Sequence, residues 1–210
     1  MARSRDISKV LSSNSTLATD AEVAATYQTQ AGTGLIKIVP SSVAVGSGTG
    51  SASALGTVTF TGVSSLNLNG VFSSTYNAYQ IVLTISTFAT GGQINYRYGT
   101  NGTPQTGASY SVAGIYGDNN NTSGAFGQSG QTSILWGQSS ASGTEAWFGV
   151  VEVGLPNSAV RTFSSHRATT NGATRSTFQG GAYNGTDQFT DFIILPNANM
   201  TGTVSVYGYK

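Results

Sequence analysis

Apolar and polar positions follow two different rhythms along this chain. From about residue 54 onward, short apolar runs are broken by Gly, Asn and Ser at intervals of roughly 8–12 residues, the pattern of an antiparallel sandwich or barrel. The runs are 55–60 (LGTVTF), 79–88 (YQIVLTISTF), 94–98 (INYRY), 110–116 (YSVAGIY), 132–136 (TSILW), 146–153 (AWFGVVEV), 160–166 (VRTFSSH), 175–180 (RSTFQG), 189–195 (FTDFIIL) and 202–209 (GTVSVYGY). Within 79–85, Tyr79, Ile81, Leu83 and Ile85 share one face by period two. In the last run Val204 and Val206 alternate with Thr203, Ser205 and Tyr207. Both sets are largely apolar in 189–195, which fits a central strand or one whose second face meets another subunit.

The front of the chain keeps a different period. Ile7, Val10 and Leu11 stand at i, i+3 and i+4, which is helical spacing. "SSNST" at 12–16 breaks it. Thr19 and Glu22 then form a T-x-x-E capping box, with Asp20 suited to the positive end of a helix dipole. The spacing predicts a short helix over 20–27. Helices this short are marginal alone in water and need a surface to pack on. "LIKIV" at 35–39 reads as a strand stopped by Pro40, and "SSVAVGSGTGSAS" at 41–53 as a flexible Gly/Ser-rich connector. The expected organisation is therefore an N-terminal arm over 1–30, a strand and linker over 31–53, and a β domain over 54–210. The stretches 99–109 and 117–131 read as long loops rich in Gly, Asn, Ser and Gln, with Tyr96, Tyr98, Tyr110, Tyr116 and Phe126 in or beside them. Aromatics among Asn and Ser make contact surfaces for carbohydrate or protein, or else cap strands at the sandwich edge.

Charge sharpens the division. Only 8% of residues are charged, against about 25% in ordinary soluble domains. Six of the seventeen lie between Arg3 and Glu22, and none between residues 38 and 96. A net charge of +1 with no basic run gives no reason to expect nucleic acid or an anionic membrane as partner. Aromatics at 10% and strand-length apolar runs weigh against disorder. No apolar run is long enough to span a membrane as a helix. The front has no apolar h-region and does not read as a signal peptide. The sequons at Asn101, Asn184 and Asn199 then read as accidents of composition.

Candidate chemistry is sparse. The chain has one histidine, His166, in "RTFSSHR", with no nucleophile-elbow context. A lone histidine in a strand reads as structural or exposed. The β domain holds five acids, Asp118, Glu145, Glu152, Asp187 and Asp191. Asp187 and Asp191 are near enough in sequence to approach each other, although a turn acid and a strand-flanking acid are the simpler roles. With one His, no Cys and no D-x-D-x-D run, no metal site is expected. "GTGSASALG" lacks the Lys of a phosphate loop. The expectation is a protein with no enzymatic activity and no cofactor, suited to assembly.

Three stretches resemble virion proteins of tailed bacteriophages: "VTFTGVSSLNLNGVFSSTYNAYQIVLTI" (58–85), the C-terminal strand pair "FTDFIILPNANMTGTVSVYGYK" (189–210), and the opening "MARSRDISKVLSSNSTLATDAEVAA", which is similar to the N-termini of tail-fibre-like proteins. Residues 90–188 match only by rhythm. The resemblance implies a jelly-roll-like β-sandwich, usually a homotrimer on the virion exterior, made in the bacterial cytoplasm and attached by its N-terminal arm. In the arm, Arg3 and Arg5 would set register, and Ile7, Val10, Leu11 and Leu17 would supply burial of about 1.5–3 kcal/mol each. Two placements stay open. The short chain, with no repetitive shaft, favours a capsid decoration (cement) protein docked on the major capsid protein. The opening phrase and the Tyr/Asn loops favour a short tail fibre, docked on a tail protein and contacting host surface polysaccharide. A capsule depolymerase would need an acidic groove, and a secreted adhesin an export route; neither is visible in the sequence.

Overall fold

The computed structural model describes residues 34–88, 92–138, 146–171 and 175–209. The expected arm over 1–30, with Arg3, Arg5, Ile7, Val10, Leu11 and Leu17, lies outside the described residues, as does Glu145.

The described residues form an all-β, jelly-roll-like sandwich of two antiparallel sheets, with no helix among them. In chain order the strands are β1 (Leu35–Ile38), β2 (Ser42–Val45), β3 (Thr49–Ala52), β4 (Thr57–Val63), β5 (Leu66–Asn69), β6 (Ala78–Phe88), β7 (Gln93–Thr100) and β8 (Thr103–Pro104). They continue as β9 (Tyr110–Gly117), β10 (Ser123–Gln131), β11 (Ile134–Gln138), β12 (Trp147–Gly154), β13 (Thr162–Thr170), β14 (Ser176–Tyr183), β15 (Asp191–Pro196) and β16 (Met200–Tyr209). The large sheet runs β10-β9-β14-β13-β12-β6-β16-β4-β3, and the small one β11-β7-β15-β5-β2, with β8 on β7. Successive strands often change sheet, so most neighbours are distant in sequence.

Every run picked out by the apolar rhythm is a strand. Two stretches read as irregular are not. The connector 41–53 holds β2 and β3, paired to β5 and β4. The loop 117–131 is mostly β10, paired to β9 from Ser123 to Gln131 with a bulge between Gln128 and Gln131. Backbone hydrogen bonds to a well-formed neighbour hold these strands, whose own side chains are too small and polar to announce them.

β16 is the spine of the large sheet. One edge pairs with β6 along its whole length. The other is shared end to end: β4 covers Met200–Ser205, and β1 covers Val206–Tyr209. The turn from β3 into β4 brings Gly56 against the end of β1, where its φ of +78° and 2.7 Å from a built Cβ to the Ile38 carbonyl oxygen leave no room for a side chain. β15 lies between β7 and β5, the central placement its two apolar faces suggested.

The core is not uniform. Ile38, Val206, Ile81, Val151, His166 and Gln179 form one inward-facing row across β1, β16, β6, β12, β13 and β14. The row begins aliphatic and ends polar. Around the aliphatic end pack Val58, Phe60, Leu83, Leu66 and Leu68, all buried. At the polar end, Thr162, Ser164, Thr170 and Thr177 are buried as well. β13 and β14 therefore invert the usual arrangement: hydroxyl, imidazole and amide groups point in, while Phe163 and Phe178 point out.

Candidate functional site

Part of the polar half of the interior is joined by hydrogen bonds, while the Thr162, Thr170 and Thr177 hydroxyls are buried without a partner among the described residues. His166 Nε2 lies 2.8 Å from the Leu135 carbonyl oxygen and 3.0 Å from Gln179 Oε1. Both partners accept, so Nε2 carries the proton and Nδ1 of the neutral ring accepts from the Tyr96 hydroxyl at 3.3 Å. Tyr96 also meets Ser164 Oγ at 2.6 Å. The Gln179 amide nitrogen donates to the Trp136 carbonyl at 3.4 Å, tying β14 to β11 across the sandwich. Burial pulls the His166 pKa below its usual value, more than the contacts with Gln179 and Leu135 raise it. Burial likewise raises the Tyr96, Tyr98 and Tyr110 hydroxyls well above the ordinary range, so they stay neutral; Tyr96 and Tyr110 hydrogen-bond, whereas the Tyr98 hydroxyl has no partner among the described residues.

Three of the five aromatics expected to contact a receptor are thus core residues. Tyr96, Tyr98 and Tyr110 are fully buried. Tyr96 stacks on Phe192, and Tyr98 on Phe189, with ring centroids 5.1 and 5.2 Å apart. In β7 the residues Ile94, Tyr96 and Tyr98 form the inward set, and Asn95 and Arg97 the outward one. The alternation was present in "INYRY" and names the buried face. The acids also take structural parts. Asp191 is buried and accepts from the Gly70 and Gly102 amides at 2.9 and 2.6 Å and from the Thr190 hydroxyl at 2.8 Å. Asp187 accepts from the Tyr183 hydroxyl and from Gln105. Glu152 accepts from the Tyr209 hydroxyl at 3.2 Å.

Tyr116 and Phe126, the other two expected contact residues, converge on one cleft. It opens where both sheets end, between β10, β9 and β14 of the large sheet and β11 and β7 of the small one, and has a volume of about 220 Å³. Gln93, Gln128, Gln138 and Gln179 line it, one each from β7, β10, β11 and β14, together with Arg175 and Thr177. Gly124 stands opposite Tyr116, and its missing side chain lets the phenol ring lie against β10. On Tyr116 rests the Arg175 guanidinium, 4.8 Å from the ring centroid. Arg175 also pairs with Asp118 at 3.4 Å. Burial raises the Asp118 carboxyl, but the Thr122 and Asn120 amides and Arg175 outweigh it and hold its pKa below the ordinary carboxylate value. The cleft thus carries a cation that already has its counter-ion. Among the described residues, Arg175 Nε and Thr177 Oγ1 are buried without a hydrogen-bond partner. Sequence reading missed the glutamines because five strands far apart in the chain deliver the lining.

The second surface is the outer face of the large sheet. Phe178, Ile115, Phe163 and Phe148 are 60%, 59%, 55% and 46% exposed there. Phe178 and Ile115 are direct cross-strand partners, and Arg167 stands beside Phe178. An open depression of about 490 Å³ lies on β9, β10 and β14, lined by Ser111, Val112, Ala113, Gln128, Gly180 and Gly181. Among the described residues no group of three or more His, Asp or Glu could hold a metal ion.

No family model matches this chain, and no curated protein matches it. Among solved structures it is similar to domain 4 of AbnA, a GH43 extracellular arabinanase from Geobacillus stearothermophilus, solved in complex with arabinotriose. The identity is 13%, the match covers 80% of this chain and 82% of that one, and the TM-score is 0.28. So distant a likeness says nothing of what this chain binds.

Proposed function

We propose that this chain is a non-enzymatic structural protein of a tailed-bacteriophage virion, a capsid decoration protein attached through residues 1–30 and self-associated through the outer face of its large sheet. The observation that carries self-association is the inverted polarity of β13 and β14. These strands spend their inward positions on His166, Ser164, Thr177 and Gln179 and turn Phe163 and Phe178 to solvent. A face built this way is stable in water when something covers it. Glu152 with Arg167 and Lys37 gives it charges of both signs, so a second copy laid against it can meet opposite charge. The same charge poverty that leaves no partner for nucleic acid leaves little repulsion between copies. The virion placement rests on the sequence resemblance at 1–25, 58–85 and 189–210.

Counting copies per purified particle against the major capsid protein tests this reading. Hundreds of copies fit a lattice-wide cement protein. A few to a few tens fit the second reading, a short tail fibre or receptor-binding protein, which the aromatic, glutamine-lined cleft favours. Absence from the particle refutes both.

A further inference from the structure

We propose that the cleft between β10–β9–β14 and β11–β7 is a binding site for one uncharged sugar ring, presented at the end or edge of a longer saccharide. The inference rests on the receptor-binding reading above and names its ligand class.

Size comes first. At about 220 Å³ the cleft is smaller than the roughly 300–1,000 Å³ pockets that enclose drug-sized ligands. It has room for one ring and opens at the sandwich edge, where the rest of a polymer can run off into solvent. Chemistry narrows the choice. A primary amide offers two donors and an acceptor and carries no charge, which matches a hydroxyl that both donates and accepts. Gln179 is already held, by His166 on its oxygen and the Trp136 carbonyl on its nitrogen. The side chains of Gln93, Gln128 and Gln138 make no hydrogen bond among the described residues and are free to turn toward a ligand. The buried Thr177 hydroxyl and Arg175 Nε add further hydrogen-bonding atoms without partners among the described residues.

Shape and charge complete the match. Phe126 and Tyr116 are half-buried and give the wall flat apolar faces, to which the C–H side of a pyranose can apply itself. The charge argument removes the competitors. Among the described residues Arg175 is the cleft's one charged group, and Asp118 neutralises it. A carboxylate or phosphate ligand would have to displace that partner, and a cation would find no acid among the described residues of the lining. A neutral, flat-faced molecule rich in hydroxyls is what these walls complement.

The test uses the full chain and free sugars as probes: glucose, galactose and N-acetylglucosamine as neutral rings, glucuronate and N-acetylneuraminate as acidic ones. Binding is read by ligand-observed NMR and titration calorimetry, and adsorption to host cells is measured in parallel. Gln128 and Gln138 are exposed at the cleft mouth, so a Gln128→Ala/Gln138→Ala double variant leaves the core untouched. The expected result is binding of at least one neutral ring, weakened tenfold or more in that variant and unchanged in Leu55→Ser, in the exposed turn before β4. Acidic sugars binding more tightly than neutral ones would overturn the proposal, as would neutral binding indifferent to the double variant. Cell adsorption that survives the double variant would overturn the cleft assignment while leaving the receptor-binding reading in place. Failure to bind both sugars and cells would overturn the two together.

Discussion

Acid is expected to loosen this fold through a single side chain. His166 is the only histidine in the chain. In the fold its ring is 2% exposed and neutral, with Nε2–H donating to Leu135 and Gln179 and Nδ1 facing the Tyr96 hydroxyl. Protonation would set a second N–H against that hydroxyl and place a charge in a low-dielectric interior. The folded pKa is accordingly depressed, whereas in the unfolded chain the ring titrates near 6.5. Below that pH the unfolded state binds more protons, so stability falls as pH drops through the unfolded value and keeps falling until the folded value is reached. Above it, this group's contribution is flat. If the ring stays neutral in the fold, one proton accounts for about 1.2 kcal/mol lost between about pH 7 and pH 5.5, or roughly 2–5 °C in Tm for a chain of this length. The assay is urea unfolding of the native protein and of His166→Gln at several pH values across that window. Carboxylates common to both cancel in the difference, so the native protein should lose more than the variant, by up to about 1.2 kcal/mol. Parallel pH profiles would refute the reasoning, and so would an imidazole pKa at or above 6.5 measured by NMR in the folded state.

Other substitutions probe the remaining links. Asp191→Asn replaces a buried carboxylate that accepts from two backbone amides and turns an amide donor toward one of them; about 1.5–3 kcal/mol should be lost in chemical denaturation. Gly149→Val would place a Cβ 2.2 Å from the Trp147 ring and 2.8 Å from Trp136 Nε1, and this overpacking should lower stability by about 1–3 kcal/mol in the same melt. For self-association, Phe163→Ser with Phe178→Ser removes two exposed rings, each contributing about 1.5–3 kcal/mol if fully buried in the contact. Sedimentation should then show assembly weakened by roughly two to four orders of magnitude, with the melt of the free chain almost unmoved.

Legibility followed the physics of each strand. β6 and β16 were plain in the sequence because one face of each is aliphatic and buried, so period two survives in the letters. β10, "SGAFGQSGQ", was not: it is an edge strand with one aromatic, held by backbone pairing to β9 that no local pattern records. β2 and β3 escaped for the same reason. In β13 the alternation was legible but its sense was not. Phe163 shares a face with Ser165 and Arg167, and only the partners across the sandwich, Tyr96 and the Leu135 carbonyl, decide that the opposite face with His166 is the inner one. Tyr116 and Phe126 stood out in the sequence, as contact residues or as caps at the sandwich edge; that they share a cleft with glutamines from four strands could be seen only in the fold.

The division of one edge of β16 between β4 and β1 has a mechanical consequence. β1 is the point where the chain arriving from residues 1–33 enters the sandwich, and four residue pairs fasten it: Leu35 to Tyr209, Ile36 to Gly208, Lys37 to Tyr207 and Ile38 to Val206. A pull along the strand axis loads those pairs in shear, all at once, against a β16 that is itself clamped to β6 over its full length. A pull across the sheet peels them one by one, beginning at Leu35. The tether is therefore strong in one direction and weak in the other, and the direction in which a load arrives decides whether the sandwich holds or lets its first strand go.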